Sequence, residues 1–196
     1  MIKAEPFLPD EDYDNPARVT DFYEFSRANC LFLNGFKDKV LVFDRFFRKN
    51  PADRGYSISA GQDKLTKFLL NYHFTEKDLA YLRYKGRDEK FLEYLSTYRW
   101  KGNRYALKEG TVCYPQVPRV RIECDRVGAI LIETYLLQTR NFHSLITTKA
   151  TRISGLATHT KRNVREFGTR RAQGESAGNE GAYCAILGGC VGTANC

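Results

Sequence analysis

The carboxyl-terminal stretch constrains the fold most. From Asn163 it reads NVREFG, a loop carrying Arg170 and Arg171, ESAGNEGAYCAILGG, and then CVGTANC. These segments predict a short strand, a helix, and the next strand with its end. Two parallel strands need a connection of a dozen residues or more, which a helix supplies, so this order is the crossover unit of a parallel sheet. A parallel sheet takes more strands than two. A (β/α)8 barrel takes about 250 residues, so a chain of 196 is expected to hold only the opening of such a structure and to be incomplete in its barrel part.

Upstream the pattern differs. Residues 1–18 read as an arm. RVTDFYEFSRANCLFLNG predicts a helix with Thr20 as N-cap and Gly35 as stop, with Phe22, Phe25, Cys30 and Leu33 on one face. KVLVFDRFFRK predicts a strand with polar interruptions at Asp44 and Arg48, GYSISAG a second short strand, and QDKLTKFLLNY a helix. TEKDLAYLRYK opens on Thr75 with Asp78 at the capping-box distance, in place of the more usual Glu. DEKFLEYLSTY predicts another helix. NRYALKEGTVCYPQVPRVRIEC has turn signals at Gly110 and between Pro115 and Pro118, and reads as two or three antiparallel strands. VGAILIETYLLQTRNFHSLITTKATRISGLA returns to a helical period and is expected to form two helices parted near Arg140 and Asn141. The fold class expected is therefore an α+β amino-terminal domain over 19–140, followed over 141–196 by the first strand–helix units of an incomplete α/β (TIM-like) barrel.

Composition narrows the function classes. With 42% hydrophobic and 13% aromatic residues the chain can bury a core. Its formal charge is +8, and from Arg140 onward eight Lys or Arg stand against three Asp or Glu. These cations are dispersed and lack the aromatic interleaving of a single-strand binder, which favours a local anion site and predicts no nucleic-acid partner. No Cys-x2-Cys pair occurs and the three His are isolated from the cysteines, so zinc spacing is absent. The six cysteines read as buried free thiols of a reducing cytosol. MIKAEPFLPDEDYD is acidic and proline-containing, unlike a signal peptide, and no apolar run is long enough to span a bilayer. A cytoplasmic protein with no membrane partner is expected.

Arg170 and Arg171 lie just past the end of the first strand of the parallel unit, where α/β folds bind ligands. A guanidinium offers a planar fork of donors that fits a carboxylate or a phosphate. Consecutive side chains diverge, so one arginine would face the site while the other pairs with an acidic group. Gly174 and Gly178 would let backbone approach a ligand, and the helix N-terminus beyond adds partial positive charge. The plain alternative is a solvated loop with two unrelated arginines, and these residues alone leave both readings open.

EFGTRRAQGESAG followed by GAYCAILGGCVGTAN resembles the nicotinate phosphoribosyltransferase family. VTDFYEFS is similar to that family's LTDLYQLT, and FFRKNPADRGYSISAG to its FFRKNPFGGGYAIAAG. EGTVCYPQVPRVRIE and LIETYLLQTRNFHSLITTKATRI fall in the family's order, and the resemblance runs from Val19 to Asn195. It implies an enzyme that joins nicotinate to C1′ of phosphoribosyl pyrophosphate, giving nicotinate mononucleotide and pyrophosphate in NAD salvage. ATP hydrolysis is coupled, Mg2+ is required, and a homodimer shares its sites. By position, the resemblance makes Tyr23 a nicotinate contact supplied across the dimer, places Phe167 and Arg170 beside the pyridine ring, and gives Arg171 to phosphate or to structure. Thr193 and Asn195 would bring polar groups from the next strand. Arg48 and Lys49 in FFRKNP would either bind phosphate across the subunit interface or form a basic turn, and the basic turn is the favoured reading.

Two departures stand out. Where the family has GGFDGTSN this chain has GGCVGTAN, so Cys190, Val191 and Ala194 replace an aromatic, an acid and a hydroxyl. The family's phosphorylated histidine lies beyond the segment that ends here, and His73, His143 and His159 do not match it; no catalytic residue and no metal ligand is therefore assigned. The chain alone is expected to be inactive. The alternative is a shortened, non-catalytic relative that binds a partner or oligomerises through the same surfaces.

Overall fold

The computed structural model describes residues 16–50 and 55–193. Residues 1–15 of the expected arm, and Ala194, Asn195 and Cys196, lie outside the described residues.

The first helix, α1, spans Phe22–Leu33, with Gly35 just beyond it at φ +74°. Its N-cap is Asp21 and not Thr20. The Thr20 hydroxyl donates to Thr134 Oγ1 (3.3 Å) and the Asp21 N–H to the same oxygen (3.2 Å), so the helix entry is tied to a distant element. The apolar face also differs from expectation. Phe25 and Ala28 are buried, whereas Phe22, Cys30 and Leu33 are exposed. Helical spacing alone does not say which stripe meets a neighbour, and Phe32 completes the inward face by packing on Phe91 and Tyr94. Three short helices follow: α2 (Gln62–Leu70), α3 (Glu76–Tyr84) and α4 (Glu89–Thr97). The expected capping box at α3 forms, with Thr75 accepting from the Asp78 N–H and Asp78 accepting from the Thr75 N–H (2.8 Å). Leu65, Phe68, Leu82, Phe91 and Leu95 turn inward into one aromatic-rich core.

Strands β1 (Val40–Arg45), β3 (Gly102–Ala106) and β5 (Val120–Asp125) form an antiparallel sheet in the order β1-β5-β3. Along β1, Leu41 and Phe43 face the core while Val40 and Val42 face out, as period two demands. The two-residue strands β2 (Ser57–Ile58) and β4 (Val112–Cys113) pair antiparallel.

Helix α5 covers Arg126–His159 without interruption, 34 residues and so about 51 Å long. The expected break near Arg140 and Asn141 does not occur. No proline lies within it, and both side chains at the expected break are engaged elsewhere: Arg140 donates to Ser59 Oγ and Asn141 accepts from Arg45. The helix changes character along its length. Its first half buries Val127, Ile130, Leu131, Ile132 and Leu136, and its second half buries Thr139, Arg140, His143, Ser144, Thr147 and Thr148. That polar stripe receives β2, whose Ile58 N–H donates to Thr148 Oγ1 (2.8 Å).

The expected strand–helix–strand unit is present: β6 (Arg165–Glu166), α6 (Glu175–Leu187) and β7 (Gly192–Thr193), with β6 and β7 parallel. α6 lies on α5 at close range, and a Cβ on Gly188 would stand 2.5 Å from Ala150 Cβ. The chain is thus mixed α/β with three small sheets among the described residues. Of the described cysteines, Cys113, Cys124, Cys184 and Cys190 are buried free thiols as expected, and Cys30 is exposed.

Candidate functional site

The carboxyl end of β6 presents the candidate residues in sequence order. Phe167 follows the strand directly and is 60% exposed. Gly168 then turns the chain into a single 3-10 turn, Thr169–Arg171, which carries both arginines. Glu166 organises this turn. One of its carboxylate oxygens accepts the Gly168 N–H, and the other accepts from Thr193 Oγ1 on the neighbouring strand (3.1 Å). A single carboxylate therefore joins the two parallel strands and the arginine turn.

Arg170 and Arg171 are both exposed. Neither has the acidic partner expected for one of them, and both forks are free for a ligand anion among the described residues. Gly174, at φ +99°, leads into α6, which has no side-chain cap on its first turn. Gly178 has a packing role: a Cβ there would sit 3.2 Å from Thr169 Cγ2, so its smallness seats α6 on the arginine turn. Of the positions that depart from the family's pattern, Cys190 is buried with its sulfur 3.9 Å from Ser154 Oγ, and Val191 is exposed. Asn195 and Ala194 fall outside the described residues.

Tyr23 stands apart from this turn, on α1, 54% exposed with Arg27 over its ring (5.8 Å). The hydrogen bond and charge of Glu24 hold its phenol above the usual range. Arg48 and Lys49 are exposed, and the Arg48 carbonyl is fixed by Gln116 Nε2 (2.9 Å). A groove of about 440 Å³ opens on the three-stranded sheet beside Tyr105, Leu107, Arg119, Arg121 and Glu123, and none of the residues singled out from the sequence borders it.

Two constellations escaped the sequence reading. In the first, His143 is buried; its Nδ1 lies 2.8 Å from the Thr139 carbonyl and its Nε2 is 3.5 Å from Glu180 Oε2. Burial lowers its pKa, outweighing the Thr139 bond and the Glu180 charge. Glu180 also pairs with Lys64, and Tyr183 donates to Glu109 (2.5 Å), so polar contacts hold α6 to α5, to α2 and to the loop before β4. The second comprises Arg45, Arg119 and Arg140, all buried. For Arg45 a signal existed: it shares the parity of Leu41 and Phe43 on β1. Among the described residues no group of three or more His, Cys, Asp or Glu is placed to hold a metal ion, and no helix is long and apolar enough to cross a membrane.

Residues 19–141 match the family model of the nicotinate phosphoribosyltransferase N-terminal domain. Among curated proteins, the chain is 40% identical over 183 residues to the nicotinate phosphoribosyltransferase of Bacillus subtilis (strain 168), covering 93% of this chain and 37% of that protein. It is 35% identical to the Dictyostelium discoideum protein of the same name, covering 90% and 30%. It therefore spans about a third of these relatives' length. Among solved structures, human nicotinic acid phosphoribosyltransferase superimposes with a TM-score of 0.82 at 28% identity, over 90% of this chain and 36% of that one. The nicotinate-nucleotide pyrophosphorylase of Pyrococcus furiosus gives 0.73 at 23% identity, over 98% and 41%, a likeness of fold alone. The family model covers well over half of the 196 residues, and the chain belongs to the nicotinate phosphoribosyltransferase family.

Proposed function

We propose that the protein carrying this chain transfers the phosphoribosyl group of phosphoribosyl pyrophosphate to nicotinate, in an ATP-coupled reaction of NAD salvage. The observation that carries this reading is the free arginine turn at the end of β6, in a chain of this family. The pyridine nitrogen attacks C1′ and forms the C–N bond as the C1′–O bond to pyrophosphate breaks; the bonding pair leaves with pyrophosphate. Arg170 supplies a two-donor fork for the nicotinate carboxylate. Phe167, exposed beside it, stacks on the flat ring. Arg171, one residue on, holds phosphate oxygens, and the Thr193 hydroxyl fixes the floor through Glu166. By the resemblance, Asn195 is a further polar contact to substrate.

In this reading β6, α6 and β7 are the first units of an α/β barrel, whose further strands supply the remaining walls. Tyr23 reaches the ring from a second copy in a homodimer, and the protein works in the cytoplasm. The family's Mg2+ would offset charge on the leaving pyrophosphate. The described residues do not form a ligand set for it, and no step assigned to this chain's side chains runs through Mg2+ or ATP.

Arg170→Ala tests the reading in the purified protein. Loss of a charge-assisted fork is expected to raise KM for nicotinate by about 10- to 100-fold, with Arg170→Lys recovering part of the loss. Unchanged nicotinate kinetics in Arg170→Ala would remove the residue from the site.

A further inference from the structure

We propose that Arg45, Arg119 and Arg140 enclose a binding site for a small multivalent oxyanion of the phosphate class, separate from the arginine turn after β6. The three residues come from three elements. Arg45 ends β1, Arg119 immediately precedes β5, and Arg140 lies midway along α5. The backbone brings the first two side by side, with the Arg119 N–H donating to the Arg45 carbonyl (2.9 Å). Both guanidiniums lie against the ring of Phe47, at 4.1 and 4.3 Å. Arg119 and Arg140 reach two serines of the same segment, Ser57 (2.5 Å) and Ser59 (2.8 Å), and Arg45 reaches Asn141 (2.5 Å), next to Arg140 in sequence.

Their exposures are 2%, 1% and 0%. Each guanidinium makes its bond through Nη2 alone, and Nε and Nη1 of all three are buried without a hydrogen-bond partner. No carboxylate forms an ion pair with any of them among the described residues. Asp44 turns outward to Arg121 (2.8 and 2.9 Å), and Glu109 is engaged by the Gln62 N–H and Tyr183. Burial and mutual repulsion pull Arg45 down to about 9; burial and the Arg104 and Arg119 charges bring Arg140 to about 10 despite Glu109. Both remain charged at neutral pH. Buried charge without a partner is the least favourable arrangement a core can hold. Three forks with spare N–H donors match the several acceptor oxygens of a phosphate, which takes paired donors from more than one arginine. A single-charge spherical ion leaves most of those donors unused. Phe47, half-buried over two of the guanidiniums, is the group an entering anion displaces.

The test is thermal unfolding of the purified protein at fixed ionic strength, with inorganic phosphate or with chloride. A ligand that binds only the folded state raises Tm, and phosphate at about a hundred times its Kd is expected to add about 5 °C or more. Arg119→Met and Arg140→Met are expected to lose this response, and Arg171→Ala, which removes the phosphate-holding residue of the turn, to keep it, which separates the core site from the substrate turn. A full phosphate response in both methionine variants, or an equal response to chloride, overturns the proposal. If the methionine variants fail to fold, the wild type decides by nitrogen NMR of its arginine Nε–H groups. Phosphate shifts the buried Nε–H signals if the site exists, and unmoved signals refute it.

Discussion

Asp125 joins three elements, β5, α5 and the end of α4. It ends β5 and caps α5, with Oδ1 accepting the Gly128 N–H (2.8 Å) and Oδ2 accepting the Tyr98 hydroxyl (2.7 Å) from the end of α4. Asp125→Ala removes the cap, which costs about 1 kcal/mol. It also leaves the Tyr98 hydroxyl, in a residue only 7% exposed, without a partner, which costs about 1–3 kcal/mol. The expected loss is about 2–4 kcal/mol, or roughly 5–15 °C in Tm for a chain of this size. Tyr98→Phe alone loses one bond to a carboxylate, about 1.5 kcal/mol or more. The double variant no longer carries an orphaned hydroxyl, so its loss is expected to fall short of the two single losses together by about 1 kcal/mol or more. Denaturant unfolding of the wild type, both singles and the double measures this directly. Additive losses, or an Asp125→Ala loss below about 1 kcal/mol, would show that the carboxylate does not couple α4 to α5 as its geometry implies.

Other perturbations probe the remaining joints. Gly188→Ala drives a methyl into Ala150 and the Thr147 carbonyl (2.8 Å); overpacking of this kind costs about 1–3 kcal/mol, and unfolding curves should show α6 loosened from α5. His143 is held neutral by burial, its pKa below the ordinary 6.5. The unfolded chain therefore takes up a proton first as pH falls, and the stability this burial confers is complete above 6.5 and lost progressively below it. Unfolding free energies at pH 7.5 and 5.5 should accordingly converge in His143→Gln relative to wild type. Burial pushes the Cys124 and Cys184 thiols up to about 12, so a thiol-labelling time course with peptide mapping should modify exposed Cys30 well before either.

Local rules made much of this architecture readable. The capping box at Thr75 and Asp78, the alternation along β1 and the parallel β6-α6-β7 unit follow from spacing that any neighbour would respect. The face of α1 was not readable in this way, because Phe22, Phe25, Cys30 and Leu33 are similarly apolar and only the position of the other helices selects which of them is covered. The continuity of α5 was hidden for a related reason. Polar residues at 139–148 resemble a break when read along the chain, whereas in the fold they are the partners of β2, Ser59 and Arg45. At the candidate site, the order Phe167, Arg170, Arg171 was visible as a motif. The carboxylate of Glu166 that fixes the turn to Thr193 was not, because that contact joins positions 27 residues apart.

What the sequence determined by itself is most of the local elements and the family, since period and ordered motifs are written in neighbouring residues. What only the tertiary structure decided is which polar groups are taken out of water. Arg119 and Arg140 look like ordinary surface cations in a chain of formal charge +8, and only its parity with Leu41 and Phe43 sets Arg45 apart. Burial depends on what packs above a residue, and that cover comes from segments tens of residues away, so the desolvation that gives these three their chemistry exists only once the fold has closed over them.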